Sequence, residues 1–478
     1  MDFAAYAAPE GSHAVPTVHD ERLTDLSARD LAALVRDGEL PAVVVVHAHL
    51  ERIAEAEPWI RALVHVDRED ALEQARLLDV RRAEGRELGP LAGVPVVLKD
   101  NIDVCGRVTT SASESRGPVA DKDADVTRRL REAGAVIVGR ANMDELAMGA
   151  STQTSVFGRT HNPHDVRRSA GGSSGGSAAA LAAHEVPLSV GTDTGGSVRE
   201  PACQCGVVGM APSPGLVSLR GVVPFAPGLD RVGPMARTVS DTALLLAVLA
   251  GRRGLAEAGQ SRRIAGLRVG VVEELNGTRN QRGVLARLDV TAELMGELGV
   301  EVVRVSVPAA GRALATYMTI TSASAVPVLA PYVETGLVGP EVQRRYDWGV
   351  ELMRDNPRRL AEAQSERRDL QAQVSAALDR CDVLLSPTMP TTAPMLEGHL
   401  APEDLADPLA APYTDCWTVV ANLAGLPAVS LPVGVSLDDG MPVGAMLMGR
   451  PGADGLLLRV AGAIETAHLQ KLGLPHII

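Results

Sequence analysis

The chain has 478 residues, and its 46 Lys and Arg against 59 Asp and Glu give a formal net charge of −13 at pH 7. Hydrophobic residues make up 46 % of the chain, so a disordered or collagen-like protein is excluded. The acidic balance argues against broad nucleic-acid binding, which requires clustered Lys and Arg.

Three features bear on where the protein works. Its five cysteines are dispersed, which is typical of a reduced protein without a disulfide framework. The first residues lack the basic and apolar segments of a signal peptide. The uncharged stretch Trp417–Leu437 contains Asn422, Pro427 and Pro432, so it predicts a buried helix, a turn and a buried strand. We therefore expect a cytoplasmic protein that does not enter a membrane.

Helices are predicted first in chain order. Residues 1–22 are expected to form a loose arm. Ser27 to Asp30 fits a capping pattern for a helix that ends at Gly38. A second helix is predicted from Pro41 to about Ile53, and a third from Asp70 to Glu84.

Short apolar runs then alternate with helical patterns, which favours an α/β fold with a mixed, mainly parallel sheet covered by helices on both faces. The chain has no Gly/Ser linker between halves and no repeat, so one large domain is predicted. The predicted strands are Val94–Leu98, Ala135–Val138, Leu188–Val190, Leu267–Val272, Val302–Val307, Val383–Ser386, Ala428–Leu431 and Val443–Met448. The predicted helices between and after them are Asp123–Ala133, Val284–Leu298 and Gly455–Thr466.

Two Gly/Ser-rich runs, Gly171–Ser177 and Gly191–Arg199, are the most unusual segments. A flexible linker is one interpretation, but the first run leads directly into an Ala-rich helix. Neither run has the lysine of a phosphate-binding P-loop, and neither is the G-x-S-x-G of a nucleophile elbow. Backbone N–H groups in such loops suit a site that must hold an anion.

A reactive serine in these runs needs a base other than histidine, because His161, His164 and His184 lack catalytic or metal-binding spacing. Lys99 is the candidate, since it ends an apolar run and burial disfavours the ammonium form. The alternative is a surface lysine paired with Asp100 or Asp103. No metal and no cofactor are expected.

Taken together, several motifs closely resemble those of the amidase signature family, from about Leu23 to the last helix. The matching segments are Gly89–Asn101, Gly171–Ser177, Gly191–Pro201, Cys205–Gly209, Leu229–Pro234, Ser386–Thr388 and Asn422–Pro427. The resemblance implies one family domain over residues 23–478. Within it lie a helical layer at about 23–88, a core at about 89–250 and a variable substrate-pocket region at about 308–380.

The resemblance also implies a Ser-cisSer-Lys triad for amide hydrolysis. Ser197 is then the nucleophile, Ser173 relays a proton beside a cis peptide bond, and Lys99 is the base. The N–H groups of Thr194, Gly195, Gly196 and Ser197 are the implied oxyanion hole. Ser174, Asp193 and Arg199 are expected to support these residues.

One branch of the family, the A subunits of tRNA-dependent amidotransferases, hydrolyses glutamine. Tyr317, Arg345 and Asp415 fall where that branch binds glutamine, and a cation and an anion suit its two charged ends. Two segments depart from that branch: Gly209–Ser213 lacks its usual lysine, and Ser322–Glu334 lacks its basic and glycine features.

These observations favour a free-standing amidase with a small-molecule substrate. The alternatives are the glutamine-hydrolysing A subunit, an amide- or carbamate-acting enzyme of secondary metabolism, an ester hydrolase, and a scaffold without activity. Partner subunits are expected only for the amidotransferase, and a homodimer is compatible with the sequence.

Overall fold

The computed structural model describes residues 17–18, 21–396 and 416–472, so most of the predicted arm at 1–22 lies outside the described part. Its strands are β1 (Thr17–Val18), β2 (Glu21–Arg22), β3 (Leu63–Val66), β4 (Pro95–Lys99), β5 (Val136–Ala141), β6 (His161–Asn162), β7 (Asp165–Ser169), β8 (Leu188–Asp193), β9 (Val208–Ala211), β10 (Arg231–Ala236), β11 (Arg268–Val272), β12 (Glu301–Val305), β13 (Val383–Pro387), β14 (Ala428–Val435) and β15 (Pro442–Met448).

The helices follow the same chain order. They are α1 (Ala28–Asp37), α2 (Ala42–Ile60), α3 (Arg68–Ala83), α4 (Asp125–Glu132), α5 (Gly175–Ala182), α6 (Arg199–Gln204), α7 (Val239–Ala250), α8 (Gly254–Ala258), α9 (Arg282–Glu297), α10 (Ala313–Val333), α11 (Pro340–Arg354), α12 (Pro357–Leu378), α13 (Val419–Ala424) and α14 (Asp454–Leu472).

Eleven strands form one sheet in the order β12-β11-β13-β15-β14-β9-β10-β8-β4-β5-β3. Four neighbouring pairs are parallel and six are antiparallel. The predicted mixed sheet is confirmed, but the predicted predominance of parallel pairs is wrong. A strand buried on both faces has the same apolar sequence in either direction, so its composition did not report how it is paired.

Helices cover both faces of the sheet, as predicted. Alternate residues of β14 point to opposite layers, because side chains of a strand alternate between its faces. Val429 packs in a core with Leu457 of α14 and Leu288 of α9. Ala428 packs in a separate core with residues of α10, α12 and α13, such as Leu370.

Local sequence signals predicted both ends of α1 but not the C-terminal end of α2. Ser27 Oγ accepts a hydrogen bond from the Asp30 amide, and Gly38 ends α1 at φ +80°, a left-handed conformation that suits glycine. Helix α2 extends to Ile60 rather than about Ile53, because its buried stripe continues through Ala56.

Helix α10, with the 3-10 segment Pro308–Arg312 before it, is long and apolar enough to cross a membrane by length and composition. In the structure it packs against α11, α12 and α13. Its residues Tyr317 and Ile320 belong to the buried core on one face of the sheet. We therefore assign it to the protein core.

The sheet brings two predicted site segments to one edge. Strands β4 and β8 are parallel neighbours, so their carboxyl ends at Lys99 and Asp193 lie at the same edge. Strand β10 runs the other way, and its first residue, Arg231, pairs with Asp193. Ligands of α/β proteins commonly bind at such an edge.

Candidate active site

Lys99 is completely buried at the end of β4, in the interior of the sheet. Its Nζ lies 2.7 Å from Ser173 Oγ and 3.5 Å from the Thr192 carbonyl oxygen. Asp100 faces Arg140, with 3.2 Å between Arg140 Nη2 and Asp100 Oδ1. The alternative of a surface lysine is therefore wrong, and Lys99 is placed for chemistry with a serine.

Ser173 lies in the loop between β7 and α5, where the Gly172–Ser173 peptide bond is cis. The next residue, Ser174, precedes α5. Its hydroxyl donates to the Thr192 carbonyl oxygen at 3.2 Å, the same oxygen that Lys99 approaches. Ser174 and Lys99 thus share one backbone acceptor.

Ser197 lies between β8 and α6 and is 5 % exposed. The Ser174 amide donates to the Ser197 carbonyl oxygen at 3.1 Å, which joins the two serine-bearing loops. Gly195 lies directly beneath Tyr317, since a Cβ added at Gly195 would be 2.5 Å from Tyr317 Cζ. The loop therefore leaves no room for a side chain at this point.

Asp193 and Arg199, which flank the loop that carries Ser197, form a buried ion pair. Arg199 donates to both carboxylate oxygens, with its Nη2 at 2.9 Å from Oδ1 and its Nε at 3.0 Å from Oδ2. Asn422 and the Val198 amide also donate to Asp193. Burial opposes ionisation of Asp193, but the Arg199 charge and these donors hold its pKa below the ordinary value. The ion pair thus joins the residues on either side of the Ser197 loop.

Thr194, in the same loop, is held by a contact with Asp230. Its hydroxyl donates to Asp230 Oδ1 at 2.6 Å, and Asp230 also accepts from the Phe225 and Ala226 amides. A small pocket next to this contact is lined by Asn101, Thr192, Thr194 and Phe225, among others. The pocket thus adjoins the loop that precedes Ser197.

The candidate substrate-binding residues come from two helices above the loops. Tyr317 of α10 covers Gly195. Arg345 of α11 donates to Thr321 Oγ1 at 2.6 Å, and its guanidinium carbon lies 5.7 Å from the centre of the Phe225 ring, which lines the pocket. The structure places both near the candidate site, whereas Asp415 lies outside the described residues.

The histidines near the serine loops have structural contacts. His161 Nδ1 is 2.6 Å from the Val166 carbonyl oxygen, and His164 Nε2 is 3.0 Å from that of Cys205. His184 faces Asp25 at 2.8 Å. Across the described segments, no three His, Cys, Asp or Glu side chains are grouped so that they could hold a metal ion.

Two residues at the site had no sequence signal. Asp144 is completely buried, and its carboxylate accepts hydrogen bonds from amides of the segment 151–154. Thr152 of that segment contacts the Ser173 loop. Only the folded chain brings these residues together, because neither belongs to a motif of reactive residues.

The comparisons with known proteins agree with this geometry. The model of the family described as Amidase matches residues 44–458, so the chain belongs to the amidase family and is an enzyme of the hydrolase class. The A subunit of glutamyl-tRNA(Gln) amidotransferase from Thermobifida fusca (strain YX) is 41 % identical over 489 residues, covering 94 % of this chain and 97 % of the relative.

Solved structures show the same relationship. The A subunit of glutamyl-tRNA(Gln) amidotransferase from Thermotoga maritima has a TM-score of 0.78 at 34 % identity, covering 94 % of this chain and 96 % of that chain. A 6-aminohexanoate cyclic dimer hydrolase complexed with substrate has a TM-score of 0.82 at 30 % identity, covering 93 % and 97 %. The chain is thus similar both to one subunit of an amidotransferase and to a 6-aminohexanoate cyclic dimer hydrolase.

Proposed function

We propose that this enzyme hydrolyses a carboxylic amide through a covalent acyl-serine intermediate. Ser197 Oγ attacks the carbonyl carbon, and its proton passes through the Ser173 hydroxyl to the neutral amine of Lys99. The observation that carries this proposal is the buried contact of 2.7 Å between Lys99 Nζ and Ser173 Oγ. A buried lysine beside a hydroxyl can act as the general base, which is the role of histidine in other serine hydrolases.

The remaining steps return every proton. When the C–N bond breaks, the proton on Lys99 returns through Ser173 to the leaving nitrogen. Water then attacks the acyl carbonyl, which releases the carboxylic acid and restores the Ser197 hydroxyl. The backbone N–H groups of Thr194, Gly195, Gly196 and Ser197 stabilise the oxyanion of both tetrahedral intermediates by about 3 kcal/mol per donor.

Two helices that cover the site supply candidate groups for binding a small substrate. Tyr317 and Arg345 come from the helices that cover the site, and a guanidinium at such a position suits a carboxylate-bearing substrate. Asp415 is proposed to bind an ammonium group of the same substrate. We expect the enzyme to act in the cytoplasm as a free-standing amidase, and a homodimer is compatible with this role.

A second candidate is the glutamine-hydrolysing A subunit of a tRNA-dependent amidotransferase, with partner subunits. The identity of 41 % to such a subunit over nearly its whole length favours it. Against it stand the departures at Gly209–Ser213 and Ser322–Glu334.

The test is ammonia release by the purified chain alone, with glutamine and a panel of simple aliphatic and aryl amides. Release from simple amides with glutamine inert supports the free-standing amidase. Release from glutamine alone supports the role within an amidotransferase. No release from any amide, by a folded protein that also fails to react with a fluorophosphonate, contradicts both.

A further inference from the structure

The loop that carries Ser173 is fastened by one threonine hydroxyl. Thr152 Oγ1 donates to the Gly171 carbonyl oxygen at 2.8 Å and accepts from the Gly175 amide at 3.0 Å. These two partners stand on either side of Ser173, two residues before it and two after it. A single hydroxyl therefore spans the segment from which the Ser173 side chain projects.

This hydroxyl also supplies a hydrogen-bond acceptor for the first amide of α5. The first amides of a helix lack partners within the helix, and the residue before them usually caps one with its side chain. Ser174 occupies that position at α5 but makes no such cap, because its hydroxyl donates to Thr192 instead. Thr152 supplies the acceptor for Gly175, and the Ser174 hydroxyl donates to the Thr192 carbonyl oxygen, which Lys99 also approaches.

Thr152 is itself held in place by Asp144. The Asp144 carboxylate accepts from the Thr152 amide at 2.8 Å and from the Ser151 amide at 3.1 Å. The backbone of Asp144 donates to the Ser173 carbonyl oxygen at 3.2 Å. Thr152 has φ +54°, a conformation that a β-branched residue adopts only when its surroundings fix it.

The segment that contains Thr152 and the loop that carries Ser173 are tightly packed against each other. A Cβ added at Gly172 would be 2.2 Å from Asp144 Oδ2, and one added at Gly175 would be 2.3 Å from Thr152 Oγ1. The Thr152 segment is therefore in direct contact with the backbone on both sides of Ser173. A shift of one segment must move the other.

We propose that Thr152 is a positioning residue, whose hydroxyl holds the Ser173 side chain at the distance from Lys99 that proton relay requires. It acts through Ser173 and touches neither substrate nor the reacting atoms. This inference rests on the proposed role of Ser173 as the relay. It extends the site by a residue that contributes no reactive group.

The experiment measures the rate at which a small alkyl fluorophosphonate labels Ser197, because this reaction needs an activated serine but not the natural substrate. Thr152→Val keeps the side-chain shape and removes both hydrogen bonds. It should label about 10²-fold more slowly than wild type, as expected for a catalytic group displaced by about 1 Å. Thr152→Ser keeps the hydroxyl and should label close to the wild-type rate.

Two further variants separate position from stability. Thr152→Gly adopts φ +54° easily but lacks the hydroxyl, so it should fold even if the valine variant does not, and it should also label slowly. Thr242→Val is the matched control, since Thr242 is completely buried and its hydroxyl donates to the Thr238 carbonyl at the start of α7. It should lose some stability and keep the labelling rate.

Wild-type labelling by folded Thr152→Val or Thr152→Gly overturns the inference, and so does slow labelling by Thr152→Ser. Ser173→Ala is measured in parallel. If Ser173→Ala labels at the wild-type rate, the proposed relay itself is wrong. If Ser173→Ala is slow and the hydroxyl-free Thr152 variants are not, only the role of Thr152 is wrong.

Discussion

Lys99 is a polar residue in a strand whose other members are apolar and buried. Burying an amine is costly unless it has partners, and here Ser173 and the Thr192 carbonyl supply them. The sequence predicted both the burial and the serine partner.

Replacing Lys99 by methionine tests this directly. The variant keeps an unbranched side chain of similar length in an apolar strand, so it should fold with an unfolding midpoint at or above that of wild type. Without a base, the rate of amide turnover should fall about 10³-fold. The exposed residue Lys122 provides the matched control, and Lys122→Met should keep both activity and stability. A folded Lys99→Met with near-normal turnover contradicts the role of the lysine.

Gly195 offers a second test at the level of one residue. Alanine there brings its Cβ to 2.5 Å from the Tyr317 ring, so either the ring or the loop before Ser197 must move. We expect kcat to fall about 10²-fold, because the proposed oxyanion donors lie in that loop. Gly277→Ala, at a position with nothing within 4 Å, should leave kcat unchanged. Equal kcat values for Gly195→Ala and Gly277→Ala would contradict this prediction.

Only part of the sheet could be predicted from its apolar runs. Strands β4 and β8 were predicted at nearly their true positions, whereas β9 and β10 were missed. Gly233 lies within β10, and a Cβ there would be 2.3 Å from the Met210 carbonyl oxygen of β9. Glycine is needed for this close approach, yet in the sequence it reads as a turn.

The brace between β8 and α6 should control stability as well as activity. Arg199→Met leaves the Asp193 carboxylate buried without its main partner, which should cost about 3–5 kcal/mol in the free energy of unfolding. The double variant Asp193→Leu/Arg199→Met removes both charges and should be less destabilised than Arg199→Met alone. Urea unfolding measures both. An Arg199→Met protein as stable as wild type would show that the pair does not brace the loop.

At the scale of the whole molecule, the sheet and its two helical layers place reactive residues that are distant in sequence. Lys99 ends strand β4, whereas Ser173 and Ser197 lie in two separate loops, and all three meet at one edge of the sheet. The motifs predicted these residues through their resemblance to a family. The fastening by Asp144 and Thr152 was not predictable, because it depends on contacts between unremarkable residues that only the fold creates.

A buried carboxyl pair on the N-terminal side links the fold to pH. Glu185, after α5, is completely buried and faces Glu57 of α2. Burial raises the pKa of Glu57 to about 7, and burial together with the Glu57 charge raises the pKa of Glu185 well above its ordinary value. Arg52 and Arg61 are the facing cations that partly oppose these shifts.

The sign of the pH effect follows from the raised values. The folded protein holds these protons at a pH where the unfolded chain, with a Glu pKa near 4.5, has released them. The stability that these bound protons contribute is therefore fully present below about pH 4.5 and is lost as the pH rises through about 7. Glu185→Gln should unfold at a higher urea concentration than wild type at about pH 8, and the gain should shrink at about pH 5. A gain that is the same at both pH values contradicts this assignment.

The most direct measurement is the identification of the covalent intermediate. Turnover of an amide that releases ammonia is quenched with acid in the steady state, and the digested protein is analysed by mass spectrometry. We predict an acyl group on the peptide that contains Ser197, attached to Ser197 itself and missing from Ser197→Ala, which should also release no ammonia. Ammonia release by a folded Ser197→Ala protein at the wild-type rate, with no acyl group on Ser197 in wild type, would contradict the proposed mechanism.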